Sequence, residues 1–174
     1  FVQCLESLRP HWKRARDEAS ACNARSIKHY RRGVGIAGMW YGCGNTSLAN
    51  PSTIRAGIKN NGRIVLHQGA VDIGQGSNTV ITQIFAEALG VTLNSIDLVS
   101  GDTDLTPDCG KTSASRQTFV TGKAAELAGR ALRAKILQQA NAGDDARIVM
   151  TSDHVLVRDS GVEREIDLAM LDCD

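Results

Sequence analysis

The sequence predicts an α+β fold, a mixed β-sheet with two long helices packed on it. Three observations carry this. Asn60-Asn-Gly62 stands between two short alternating runs, Ser52–Ile58 and Arg63–Gln68, as the turn of a hairpin does. Ile81, Ile84, Phe85, Ala88 and Leu89 share one face of a helix, and Leu127, Ala131, Leu132, Ile136 and Leu137 do so further on. Single strands and hairpins, not a regular strand–helix–strand series, separate these helices.

A chain of 174 residues suffices for one domain with a core, or for two small subdomains. Hydrophobic residues make up 42%, charged residues 22%, and the net charge is +1, an ordinary globular composition. Aromatics at 4% argue against a surface of stacked bases, and no apolar run approaches transmembrane length. Cys4, Cys22, Cys43, Cys109 and Cys173 are odd in number and nowhere spaced CxxC. That pattern points to reduced thiols in a cytoplasm-like compartment rather than to disulfides or zinc. Residues 1–32 hold eight Lys/Arg against three Asp/Glu, and residues 141–174 hold three against nine. Each charged end reads as a solvated or docking face rather than as a nucleic-acid site.

In chain order, Cys4, Leu5, Leu8, Trp12 and Ala15 predict a helix over Phe1–Ala24, with Pro10 the objection to a single straight one. Residues 1–32 then read as a basic helical lead-in from a preceding domain, and 33–174 as the domain proper. Val34–Met39 reads as a strand whose glycines allow close packing, joining Ile54–Ile58, Ile64–Gln68 and Ile96–Val99 in the sheet. Ser77, Asn78 and Thr79 are side chains that cap a helix start, and Gly90 is a natural C-cap. A second long helix runs from Arg116 or Gln117 to about Gln139, amphipathic and core-packed. Arg147–Met150 and His154–Val157 form a hairpin at Ser152-Asp153, and Ile166–Leu171 begins a further apolar element. The chain reads as a piece of a longer polypeptide.

Two loops carry the polar chemistry. Gly-Ala-Val-Asp-Ile-Gly-Gln-Gly, residues 69–76, links the strand Ile64–Gln68 to the helix after Ser77. Unsatisfied first-turn amides and the helix dipole make such a junction a candidate anion site. It has neither the Gly-Lys-Ser/Thr of a P-loop nor the spacing of the dinucleotide fingerprint. Gly110-Lys-Thr-Ser-Ala-Ser115 likewise ends where a helix begins, with Ser113 and Ser115 as candidate caps. Helix starts facing one cleft would hold a ligand carrying several phosphate or oxo groups. Among other candidates, His67 reads as a structural hydrogen-bonding residue and Cys109 as a loop residue whose backbone matters, a low-pKa thiol beside Lys111 being the sharper alternative. Asp102, Asp104 and Asp108 fit turns and caps better than a hard cation.

Residues 69–79, Gly-Ala-Val-Asp-Ile-Gly-Gln-Gly-Ser-Asn-Thr, followed by Asp-Thr-Asp-Leu-Thr-Pro-Asp-Cys-Gly-Lys-Thr-Ser-Ala-Ser-Arg-Gln-Thr118, resemble the molybdenum hydroxylases, the xanthine dehydrogenase/aldehyde oxidase family, and most the bacterial aldehyde oxidoreductase branch. The resemblance extends from about Arg31 to Leu137, and the two motifs together are far more specific than either alone. It implies a molybdenum-cofactor-binding-domain-like fold and a molybdopterin cofactor, often in bacteria the cytosine dinucleotide. It implies hydroxylation of aldehydes or N-heterocycles, purine- or nicotinate-like, with oxygen from water. Iron–sulfur clusters and often FAD, on other domains or subunits, would carry the electrons. The family's Gly-Gln-Gly turn maps onto Gly74, Gln75, Gly76 and the following Ser77, Asn78 and Thr79. Its second loop, which lies against pterin and metal, maps onto Thr112, Ser113, Ala114 and Ser115, with Arg116 and Gln117 beside them. The implied partners are the remaining domains of the molybdenum-binding subunit, iron–sulfur and flavin subunits, and a small aldehyde or heterocycle. Nucleic acid and a membrane span are not among them. The implied location is cytoplasmic, with the periplasm open to the complete enzyme. No glutamate here lies in the family's Gly-x-Gly-Glu context, so no catalytic base and no protein ligand to the metal is expected in this chain. The alternative reading is a non-catalytic phosphate- or nucleotide-binding or domain-docking module.

Overall fold

The computed structural model describes residues 1–26, 29–44, 47 and 49–170, the side chain of Met170 excepted. Two compact units divide the chain, Phe1–Tyr41 and Gly42–Asp174.

In the first unit, helix α1 (Val2–Arg25) continues through Pro10 without a break. A proline there forfeits one amide donor and crowds the preceding turn, yet the flanking residues sustain the helix. Glu6 pairs with Arg9 at 2.5 Å, and the Arg16 guanidinium lies 4.8 Å from the Trp12 ring centre. Asn23 clamps the returning chain: Nδ2 donates to the Arg32 carbonyl and Oδ1 accepts its amide, both at 2.8 Å. The strand expected over Val34–Met39 is absent. That segment is irregular and exposed, and Gly33 and Gly35 have no atom within 4 Å of an added Cβ. Its apolar residues therefore have no neighbouring strand against which to alternate.

The second unit carries two three-stranded sheets, where a single sheet was expected. In the first, β1 (Arg55–Ile58) pairs antiparallel with β2 (Ile64–Gln68) across the Asn60–Gly62 turn. Strand β2 pairs parallel with β3 (Ile96–Ser100), so the sheet is mixed as the sequence predicts. The crossover is helix α2 (Ser77–Leu89), closed by left-handed Gly90, whose amide donates to the Ala86 carbonyl at 2.8 Å. After a wide π-type turn, Gln117–Thr121, helix α3 (Gly122–Gln139) packs across α2. The second sheet, β4 (Arg147–Met150), β5 (His154–Asp159) and β6 (Val162–Asp167), is antiparallel. Strand β6 begins at Val162, before the expected apolar element, because the charged run Glu163–Glu165 gives no alternation to read.

One core serves both sheets. Ile64 and Leu66 from β2, Ile81, Phe85 and Leu89 from α2, Ala125, Ile136 and Leu137 from α3, and Ile148, Val155, Val157 and Ile166 from the second sheet are all buried in it. Burying side chains of this size stabilises by about 1.5–3 kcal/mol each before chain entropy is subtracted.

His154 links β5 to its neighbours: Nδ1 lies 3.0 Å from Asp153 Oδ1 and Nε2 2.8 Å from Glu165 Oε1. The Asp153 contact, opposed by desolvation and helped by the nearby charges of Asp153, Glu165 and Asp167, raises its pKa above the ordinary 6.5. A raised folded-state pKa contributes stability that is full below the unfolded value and is lost as pH rises through the folded one. Thermal unfolding of the wild type is therefore expected to lose stability as pH rises from about 6 through the raised pKa. His154→Gln should flatten that slope; an unchanged slope would show that the imidazole is not its source.

Candidate functional site

Strand β2 leads into the first loop with its inward face, Ile64, Leu66 and Gln68, wholly buried. Gln68 ties the strand end to the start of α2: Nε2 donates to Asn78 Oδ1 at 2.7 Å while Oε1 accepts the Ala70 amide at 2.8 Å. At Gly69 an added Cβ would lie 2.4 Å from the Pro107 carbonyl, so the 106–110 loop leaves no room for a side chain.

The turn that follows is held by one carboxylate. Asp72 Oδ1 accepts the amides of Gly74 at 2.8 Å and Gly76 at 3.2 Å, and Oδ2 accepts that of Asn78 at 3.1 Å. The Asn78 bond first, then that from Gly74, hold its carboxyl below the ordinary aspartate range against the cost of desolvation. Ser77, Asn78 and Thr79 were expected to cap α2 and do not. The residue before the helix is left-handed Gly76, which carries no cap of its own. Gly74 and Gly76 have φ of +99° and +81° with no atom within 4 Å of an added Cβ, so conformation rather than space calls for glycine. Between them Gln75 folds back on the turn. Its Oε1 accepts the Ile73 amide at 2.6 Å, and its Nε2 donates to the Val71 carbonyl at 3.2 Å and to Ser77 Oγ at 3.0 Å.

The second loop is strained and strutted. Ala114 and Ser115 both adopt left-handed backbone, with φ of +50° and +58°, a conformation that costs roughly 1–2 kcal/mol at a non-glycine residue. Bonds from the Gly44 amide to the Ala114 carbonyl (2.5 Å) and from the Arg116 amide to that of Ser113 (2.9 Å) support it. Arg116 is 2% exposed. Its Nε donates to Asn50 Oδ1, Nη1 to the carbonyls of Cys109 and Lys111, and Nη2 to that of Pro51. Among the described residues no ion pair joins it to a carboxylate. Gln117, also buried, donates from Nε2 to the Gly110 carbonyl at 3.1 Å and to Thr112 Oγ1 at 3.2 Å, and accepts Thr121 Oγ1 at 2.5 Å. The following helical turn starts from Arg116, which makes no side-chain cap bond.

The two loops meet. Thr112 Oγ1 donates to the Val71 carbonyl at 2.8 Å, the same oxygen that Gln75 Nε2 approaches. Gly74, Gln75, Thr79 and Ser115 are exposed, and Gly76, Asn78, Thr112 and Ser113 are half-buried. Ser77, Ala114, Arg116 and Gln117 are buried, so Arg116 and Gln117 brace the loop from inside.

Other candidates settle as framework. His67 Nδ1 lies 3.0 Å from the Leu105 carbonyl. Asp102 Oδ1 accepts the amides of Asp104 and Leu105, and Asp108 Oδ1 that of Gly110, which are turn roles. Cys109 is 1% exposed; its sulfur accepts the Gly69 amide and donates to the Thr53 carbonyl, so its side chain as well as its backbone is structural. Phe119 and Leu127, on the stretch expected to be a core-packed helix, are 66% and 56% exposed, beside a cleft of about 910 Å³ lined also by Ile84, Ser115 and Val120. Sequence reasoning assigned no role to Asp72, Gln68 or Asn50. For Asp72 the signal was there: an aspartate just ahead of a glycine turn is placed to bond the amides that follow.

Residues 4–171 match the molybdopterin cofactor-binding domain family. The chain is 34% identical over 144 residues to the xanthine dehydrogenase molybdenum-binding subunit of Escherichia coli O157:H7, covering 79% of this chain and 18% of that protein. A nicotinate dehydrogenase subunit from Pseudomonas putida is 32% identical over 83 residues, 48% of this chain and 7% of the relative. Among solved structures, the aldehyde oxidoreductase of Desulfovibrio desulfuricans superposes with a TM-score of 0.58 at 32% identity, over 73% of this chain and 14% of that one. The chain thus spans less than a fifth of the length of each of these proteins. The motifs, the α+β architecture and the family match agree: the chain belongs to the molybdopterin cofactor-binding domain family of the molybdenum hydroxylases.

Proposed function

We propose that this chain forms one wall of the molybdopterin site in a molybdenum hydroxylase subunit, contacting the cofactor through Gly74–Thr79 and Thr112–Gln117. The observation that carries this is the meeting of both loops at the Val71 carbonyl. The donor set fits an anionic, oxo-rich group. Above Gly74 and Gly76 there is open space, and the Gln75 amide and the Ser113 and Ser115 hydroxyls stand on the exposed or half-buried side. Arg116 adds a buried positive charge with no paired carboxylate among the described residues. When bound, the cofactor supplies the two-electron chemistry that places a water-derived oxygen on the substrate carbon.

This chain's residues position that group and exclude water around it. Gln75 exchanges one partner, Val71 or Ser77, for the cofactor, while Thr112 holds the two loops together. The whole enzyme is read as acting on aldehydes or N-heterocycles. The cytosine dinucleotide form of the cofactor, iron–sulfur and flavin partner subunits, and a preceding domain that 1–32 leads out of belong to the same proposal. The relatives named as subunits of larger dehydrogenases support it.

Gln75→Ala in the complete subunit is expected to weaken cofactor binding by the worth of one hydrogen bond to a charged group, about 1.5–3 kcal/mol. Molybdenum content per subunit at limiting cofactor reads this, and wild-type loading would contradict it. The 174-residue chain alone, supplied with cofactor, is expected to show no aldehyde- or purine-dependent dye reduction. None of its glutamates has the family's Gly-x-Gly-Glu neighbours, and general base catalysis needs a base within hydrogen-bond reach. Turnover by the chain alone would overturn that expectation.

A further inference from the structure

We propose that Asp72 is the positioning residue of the Gln75-bearing turn, presetting the loop for its ligand before any ligand arrives. This rests on the reading of the loop as a cofactor contact but concerns a residue that makes no such contact itself. One carboxylate gathers the amides of Gly74, Gly76 and Asn78. The two glycines have left-handed backbone, and a Cβ added to either would meet nothing within 4 Å, so no side-chain packing at that position confines them. Each glycine is the residue type with the most freedom to lose on ordering. The carboxylate supplies the confinement that packing does not.

The same bonds change what the turn recognises. An α-helix start attracts anions because its amides are unpaired and carry partial positive charge. Here Asp72 occupies the Asn78 amide, at the second helical residue, and places a negative charge beside the end of α2. A phosphate approaching that end meets a carboxylate instead of free donors. What the turn holds ready is the directional amide of exposed Gln75, kept in place by Ile73, Val71 and Ser77 until one N–H is exchanged for the ligand. The turn therefore meets its ligand through the Gln75 amide rather than through free helix-start amides, and the cationic Arg116 behind the second loop answers the ligand's charge.

The test compares wild type, Asp72→Asn and Asp72→Ala in the complete molybdenum-binding subunit, prepared without cofactor and then loaded. Hydrogen exchange of peptides covering 70–80 is expected to accelerate at least about tenfold in Asp72→Ala, with Asp72→Asn between it and wild type. Peptides covering 64–68 and 122–139 should stay unchanged, which separates loosening of the turn from unfolding. Molybdenum per subunit at limiting cofactor should fall in the same order, and inorganic phosphate should protect the turn more in Asp72→Asn than in wild type. Unchanged exchange in both variants overturns the proposal whether or not molybdopterin is taken up. Accelerated exchange with wild-type molybdenum content also overturns it, because the turn would then be free to order on its ligand. A wild-type subunit that takes up no molybdopterin refutes the cofactor reading instead, and the exchange result still decides whether Asp72 holds the turn.

Discussion

Arg116→Met is expected to destabilise the domain by about 3–5 kcal/mol and to abolish cofactor loading in the complete subunit. The guanidinium is buried and bridges two stretches far apart in sequence, donating to Asn50 and the Pro51 carbonyl on one side and to the Cys109 and Lys111 carbonyls on the other. Methionine fills much of the volume but donates nothing, so several part-buried or buried acceptors lose their partner at once. Each such loss costs roughly 1–3 kcal/mol where water cannot replace the donor. The strained Ala114–Ser115 backbone would then relax, since Arg116 is the next residue along. Arg116→Lys should recover little, because a single ammonium cannot reproduce a planar fork reaching separate carbonyls. Chemical denaturation measures the first effect. A midpoint within experimental error of wild type would show that the strut is dispensable.

The second large effect is at Gly129, where α3 crosses α2. An added Cβ would lie 2.7 Å from the Phe85 carbonyl and 2.9 Å from the Ala88 Cβ. On an exposed helix, replacing glycine raises stability by up to about 1 kcal/mol. Here the sign reverses. Gly129→Val must push the helices apart against a close-packed core and is expected to cost about 3 kcal/mol. Because α2 begins in the first site loop and α3 continues from the Gln117–Thr121 turn that follows the second, the variant should also lower molybdenum content. A stability equal to or above wild type would show that the crossing has slack.

The same contrast between local and distant information explains what could be read from the sequence. Helix α2 and the β1–β2 hairpin were legible because their signals are local: an apolar stripe ended by Gly90, and Asn-Gly between alternating runs. Val34–Met39, a run of apolar and small residues read as a strand for its close-packing glycines, is none. A strand needs a partner's hydrogen bonds, and no local pattern reports whether one is present. The division into two sheets was likewise hidden, since pairing is a property of the assembled chain. At the site, the glycines and hydroxyl residues marked both loops, but caps assigned by residue type were misplaced. Asp72 outcompetes Ser77 and Thr79 because its carboxylate reaches three amides from before the turn. Arg116 and Gln117 carried the motif's identity while their burial, and so their bracing role, depended on residues 50, 51 and 110.

The most direct test of the central claim is an experimental structure of the complete, cofactor-loaded molybdenum-binding subunit. The account predicts the cofactor against both loops, with the Gln75 side chain and a backbone or hydroxyl group of 112–115 within hydrogen-bonding distance, roughly 2.7–3.2 Å. A cofactor seated elsewhere, with Gln75 still folded onto Val71 and Ser77 and no contact to 112–117, would contradict it.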